Sequence, residues 1–185
     1  ELEIRLSSTP GLRLTCSDPT LDAGPGNLAW RAADLFQRES GHGGGVDMHL
    51  HKNIPHGAGL GGGSSDAAAV LVALNHLTGS PLSLETLEAL AARLGSDIPF
   101  FIRGVPSLAR GRGEKLTPAP LPQPLDLLLL KPPFGIETAW AYRQWSAGER
   151  CPPAWTAAQL ADGIEFFNDL ESPVFAKHLL LPALK

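Results

Sequence analysis

The sequence predicts an α+β fold, and three observations carry that prediction. Glu1 to Leu6 and Leu12 to Cys16 alternate apolar and polar residues, the period-2 signature of half-buried strands. A loop with five glycines between Gly57 and Gly63 separates a third alternating stretch from an alanine-rich helical one. Further strand and helix patterns interleave without the regular beat of a doubly wound sheet.

The elements follow in chain order. Ser-Ser-Thr-Pro-Gly joins the first two strands as a turn cluster, with Pro10 fixing φ and Gly11 free to adopt positive φ. Asn27 is placed to cap a helix running to about Glu39, whose apolar face is Leu28, Ala32, Leu35 and Phe36. Val46, Met48 and Leu50 alternate with Asp47, His49 and His51 as a third strand. A helix is expected from about Ser65 to Leu77, stopped by Gly79, and another from Ser83 as cap to Leu94, with Gly95 past its end. Because Pro99 interrupts it, Asp97 to Ile102 reads as a loop entering a short strand. Gly111-Arg112-Gly113 marks a hairpin-like turn and Leu125 to Leu130 a buried strand. Thr138 to Trp145 reads as a helix, the Pro-rich sequence around Cys151 as a surface excursion, and a short helix follows Thr156.

Composition narrows the function classes. The 185 residues carry 15 Lys+Arg against 19 Asp+Glu, a net charge of −4, and no Lys or Arg is adjacent to another. The electrostatic footprint of a nucleic-acid binder is absent. No apolar run approaches the length that spans a bilayer. Cys16 and Cys151 provide neither a disulfide framework nor metal-finger spacing, which fits a cytoplasmic protein.

The informative stretch runs from Lys52 to Ala69. Glycines let backbone N–H groups turn inward toward a polyanion, and the following helix adds the positive end of its dipole. Pro55, His56, Gly57, Ala58, Gly59, Leu60, Gly61, Gly62, Gly63, Ser64 and Ser65 are therefore the candidate phosphate-binding residues. The serine hydroxyls are free to cap the helix, contact phosphate or help hold Mg²⁺. A P-loop would need Lys after the last glycine, where this chain has Ser64. Gly57, Gly59 and Gly62 formally satisfy a dinucleotide fingerprint, but the preceding strand alternates with polar residues instead of running apolar. A flexible linker is the bland alternative. Lys52 and His56 flank the loop, either assisting phosphate binding or serving as surface charge. His49 and His51 share one strand face without a third ligand, so a solvated face is preferred to a metal site.

Pro55 to Ala68 resembles the ATP loop of the galactokinase, homoserine kinase, mevalonate kinase and phosphomevalonate kinase (GHMP) superfamily. The extra glycine, Gly95-Ser96-Asp97-Ile98-Pro99-Phe100-Phe101, Gly111-Arg112-Gly113-Glu114, Lys131 to Ile136 and Asn168 to Glu171 are similar to its 4-diphosphocytidyl-2-C-methyl-D-erythritol kinase family. The resemblance implies a GHMP-type N-terminal domain, like the second domain of ribosomal protein S5, over residues 1–163. Residues 164–185 would open a C-terminal domain. It further implies ATP-dependent phosphorylation of the substrate 2-hydroxyl, with Mg²⁺. The partners would be ATP and the cytidyl substrate, with no nucleic acid or membrane partner, and a homodimer is compatible with it. By the same resemblance Asp97 would be the catalytic base, where pattern alone reads a helix or turn cap. Tyr142 would stack on the cytosine, where pattern alone reads a packing residue. No resident metal ligand is expected. The family's catalytic lysine would precede Glu1 and its second domain would follow Lys185, so the chain is expected to be an incomplete, weakly active or inactive form. Another GHMP kinase, of homoserine or mevalonate type, and a non-catalytic nucleotide-binding fragment stand as the alternatives.

Overall fold

The computed structural model describes residues 1–121, 126–148, 153–161 and 163–185. Contacts divide the chain into two units, Glu1–Pro122 and Gln123–Lys185. That division lies upstream of the boundary at residue 163 that the resemblance implies, and it coincides with the proline-rich sequence between Pro118 and Pro124.

The first unit is α+β. Strands β1 (Leu2–Ser7), β2 (Leu12–Cys16) and β3 (Gly45–Leu50) form one sheet in the order β1-β3-β2. β1 and β2 are consecutive yet do not pair, because β3 returns between them, antiparallel to β1 and parallel to β2. Helix α1 (Leu28–Ser40) makes the crossover from β2 to β3 that a parallel pair requires. The alternation works as expected: Leu14, Val46, Met48 and Leu50 face the core, while Arg13 and Asp47 pair on the other face. On that outer face Thr15 Oγ1 bonds His49 Nδ1 at 2.6 Å and His51 Nε2 lies 3.6 Å from Glu3, as befits a solvated strand face.

Asn27 caps α1 by accepting the Ala29 N–H at 2.9 Å, and Gly41 ends it at φ +72°. Helix α2 (Gly62–Leu77) packs on α1, and Ala29, Ala32, Ala33, Ala67 and Ala68 of the two helices are buried in one core cluster. Small side chains let the two helix axes approach closely. α2 begins three residues before the expected Ser65. Gly62 and Gly63 form its first turn despite glycine's poor propensity, with Ile54, Lys52 and Leu28 close to where their Cβ atoms would be. Ser83 caps α3 (Leu84–Leu94) through the Thr86 N–H at 3.2 Å.

Residues 98–103 correct the sequence reading. They form helix α4 (Ile98–Arg103), not a strand. Proline is tolerated in a first helical turn, and Ile98 and Ile102, one turn apart, both reach the core. Strands β4 (Ser107–Arg110) and β5 (Lys115–Pro118) form the hairpin expected around Gly111 and Gly113.

In the second unit, α5 (Thr138–Ala147) matches the expected helix and contains Tyr142. The buried strand expected at 125–130 is not observed. Leu125 lies outside the described residues, and Asp126 to Leu130 form no strand, with Leu128 86% exposed. No strand among the described residues pairs with this stretch, and a strand needs a ladder partner. The helix expected after Thr156 is also replaced. A 3₁₀ turn (Pro153–Thr156) is followed by the hairpin β6 (Gln159–Ala161) and β7 (Ile164–Phe166), with Gly163 at φ +78° between them. Cys151 lies outside the described residues. Helices α6 (Glu171–Lys177) and α7 (Leu181–Leu184) complete the chain. Phe134 stacks on His178, and Lys177 Nζ sits 4.1 Å from the Trp140 ring centre.

Candidate functional site

A cavity of about 360 Å³ opens beneath the glycine loop of the first unit. Its wall is the loop from Pro55 through Ser64, completed by Asp22, Gly26, Asn27, Lys52 and Asp66. Gly57, Gly59 and Gly61 adopt φ of +66°, +72° and +68°, alternating with residues of ordinary φ. Such alternation curls backbone N–H groups toward one side. Gly61 is the N-cap of α2 and its carbonyl accepts the Ser65 N–H at 2.8 Å. The N–H groups of the first helical turn have no intrahelical acceptor, and the helix dipole adds positive potential there.

Within the loop, Gly61 and Gly62 leave no room for a Cβ unless a neighbour shifts. A Cβ on Gly61 would lie 2.6 Å from Cζ of Phe101, and one on Gly62 would lie 2.8 Å from Cγ2 of Ile54. Phe101 stands one turn along α4 from Asp97, so both residues share a helix face and link the Asp97 motif to the loop.

Every expected loop residue except Ser65 lines the cavity. Ser65 instead donates its hydroxyl to the Gly62 carbonyl at 2.8 Å, closing the first turn of the helix. Asp97 is not on the wall. It occupies the N-cap position of α4, exposed and without a side-chain cap bond, so the capping role that pattern favoured is not what its carboxylate does. It faces the Gly111–Glu114 turn instead, with Oδ1 3.2 Å from where a Gly113 Cβ would be. Glu114 shapes that turn by accepting the Arg112 N–H at 2.8 Å. Bonds from its own N–H and from Arg112 hold its carboxyl below the usual carboxylate range. Tyr142 belongs to the second unit and is 57% exposed, which argues against a packing role.

Lys52, read from the sequence as a flank of the loop, lies on the wall, whereas Asp22, Asn27 and Asp66 carry no site reading from the sequence. Lys52 Nζ meets Asp66 Oδ2 at 2.6 Å, with only 7% of the lysine side chain exposed. Its burial excludes the surface-charge alternative and is legible as parity: Val46, Met48 and Leu50 face inward, and Lys52 continues the same alternation. Asp22 accepts the Gly24 and Gly26 N–H groups, and its carbonyl receives Asn27 Nδ2 at 2.8 Å, building the opposite wall. Near the mouth, the hydroxyl and N–H of Thr20 push the Asp18 carboxyl down, with smaller help from His56 and Lys52. No cluster of three or more His, Cys, Asp or Glu suited to a metal occurs among the described residues, and no helix there is long and apolar enough to cross a membrane.

The profile of the GHMP kinases N terminal domain matches residues 27–105. The 4-diphosphocytidyl-2-C-methyl-D-erythritol kinase of Nitratidesulfovibrio vulgaris is 40% identical over 200 residues, covering 100% of this chain and 68% of the relative. The protein of that name from Synechococcus sp. (strain JA-3-3Ab) is 46% identical over 95% of this chain and 62% of its own length. Among the curated relatives that it matches, this chain spans as little as 51% of their length. A crystal structure of 4-(cytidine 5'-diphospho)-2C-methyl-D-erythritol kinase superposes with a TM-score of 0.74 at 37% identity, covering 99% of this chain and 66% of that one.

Proposed function

The chain belongs to the 4-diphosphocytidyl-2-C-methyl-D-erythritol kinase family of GHMP kinases, and from that premise we propose that it binds ATP in the glycine-loop cavity and serves transfer of the γ-phosphoryl group to the 2-hydroxyl of 4-diphosphocytidyl-2-C-methyl-D-erythritol. The observation that carries the reading is the cavity itself. A left-handed Gly61 caps α2, and the first residues of that helix, Gly62 to Ser64, lie on the wall that Pro55 to Gly61 complete.

The roles follow from phosphoryl-transfer chemistry, which asks for positioning and charge neutralisation more than for covalent help. The loop N–H groups and the α2 dipole hold the phosphates. Pro55 to Ser64 form the wall on which the nucleotide lies, while Ser65 acts indirectly by closing the helix turn. Asp97 accepts the proton of the substrate hydroxyl as its oxygen bonds to the γ-phosphorus and the bond to the β-phosphate oxygen breaks. ADP and the phosphate monoester leave. Its exposed carboxylate, uncommitted to a cap, suits that task. Tyr142 stacks on the cytosine ring. Ser64, on the cavity wall, would offer its hydroxyl to a Mg²⁺ carried in by the nucleotide, which would supply neutralisation of phosphate charge. The setting is the cytoplasm.

The test incubates the protein with ATP, Mg²⁺ and each candidate acceptor, and reads products by mass spectrometry. One phosphoryl group added to the cytidyl substrate supports the proposal. Transfer to homoserine or mevalonate instead would overturn the acceptor. Failure to bind ATP would overturn the site.

A further inference from the structure

We propose that Lys52 is a further phosphate-positioning residue of this cavity and that Asp66 is the group that holds its ammonium in place. The inference rests on the nucleotide reading above. Lys52 follows β3 with inward parity, and its backbone is pinned where its N–H donates to Ser17 Oγ at 2.9 Å. Its side chain runs under the loop, so that Nζ lies 3.1 Å from the position a Gly62 Cβ would take. Both Lys52 and Asp66 line the cavity.

This placement is locally unfavourable. A cation beside a helix N-terminus opposes the helix dipole, and an ammonium withdrawn from water loses solvation. Asp66, on the second turn of α2, offsets both costs through the 2.6 Å pair with side chains 7% and 16% exposed. A hydrophobic residue at position 52 would continue the strand's inward alternation without needing a partner. An ammonium there makes sense when a polyanion enters the cavity, because Lys52 and the α2 N–H groups then act on the same phosphates. Asp66 keeps the free cavity tolerable and fixes the ammonium against Gly62, so little rotamer freedom is lost on binding.

A brace for the fold is the competing role, and the experiment separates the two. Affinities for AMP, ADP and ATP are measured by calorimetry for the parent chain, Lys52→Gln, Lys52→Arg, the single Lys52→Asp and Asp66→Lys variants and the charge-exchanged Lys52→Asp/Asp66→Lys variant, each with a thermal melt. Lys52→Gln is expected to weaken ATP binding about tenfold, as loss of one charge-assisted contact does, with a loss that shrinks from ATP to AMP. Lys52→Arg should keep most of the affinity. The exchanged variant should recover melting temperature relative to Lys52→Asp and Asp66→Lys alone, without recovering ATP affinity, because the ammonium then starts from the helix and no longer sits beneath Gly62. A folded Lys52→Gln that binds ATP as tightly as the parent would overturn the proposal. So would an exchange that restores affinity together with stability, or a loss equal for all three nucleotides. If Lys52→Gln does not fold, the arginine and exchanged variants decide. A parent chain that binds no nucleotide overturns the proposed function itself, whereas a binding parent with an unaffected variant overturns only the role of Lys52.

Discussion

The carboxylate of Asp97 stands against Gly113: a Cβ on that glycine would sit 3.2 Å from Asp97 Oδ1 and 3.6 Å from the Ser96 carbonyl oxygen. Gly113 holds φ at +119°, outside what side-chain-bearing residues adopt readily. The Gly-Ser-Asp motif and the Gly-Arg-Gly-Glu turn, apart in sequence, are therefore one structural unit around a single carboxylate.

Asp97→Asn should lower turnover by at least about a hundredfold while leaving ATP affinity within about twofold, since general-base help is lost and binding contacts are not. Steady-state kinetics paired with a nucleotide titration checks it. Retained turnover would remove Asp97 from the base role. Gly113→Ala should shift the same carboxylate and cost about 1–3 kcal/mol in backbone strain, read by denaturant unfolding.

Gly61→Val meets both a left-handed backbone and the Phe101 ring, 2.6 Å from the new Cβ. Nucleotide binding should be abolished and the melting temperature should fall. Gly63→Ala is the contrast, because its Cβ would meet only Leu28 Cδ1 at 3.6 Å inside a helix. Its stability should be unchanged or raised by up to about 1 kcal/mol, the gain of alanine over glycine in a helix. Equal melting temperatures for the two variants would contradict the steric account.

Asn27→Ala should cost about 1 kcal/mol by unfolding, since it removes the cap on Ala29 N–H. It also frees the Asp22 carbonyl on the cavity wall, so a measurable loss of nucleotide affinity should accompany the destabilisation.

Acid should loosen the Gly111–Glu114 turn. The Glu114 carboxyl sits below its ordinary value because it accepts its own and the Arg112 N–H groups. A depressed carboxyl contributes stability that is fully present above the ordinary carboxylate range and lost as pH falls through the folded value. Glu114→Gln should therefore lower the melting temperature at neutral pH, and the gap to the parent should close in acid. Asp18 and Asp47 are depressed in the same direction, by Thr20 and Arg13 respectively, so the variant removes only part of the acid sensitivity. A gap constant with pH would remove Glu114 as a contributor.

Much of this protein is written in short-range chemistry. The caps at Asn27 and Ser83, the stop at Gly41, the inward face of β3 and the curl of the glycine loop depend on residues a few positions apart, and sequence alone determines them. Pattern also marked the Asp97 motif and the Gly111–Glu114 turn, although not that they meet. Other features depend on groups that only folding brings together. β3 enters between β1 and β2 because its inward face completes their core. Gly62 and Gly63 join the first turn of α2 with Ile54, Lys52 and Leu28 beside them, neighbours that folding supplies. Residues 98–103 coil into a helix that brings Ile98 and Ile102 both to the core, an outcome that Pro99 permits in a first turn and that reading Pro99 as a strand breaker did not anticipate. The apolar run at 126–130 forms no strand, because hydrophobicity supplies burial drive but not a hydrogen-bonding partner. The Lys52–Asp66 pair joins the end of a strand to the second turn of a helix, a contact between charges that tertiary structure alone decides.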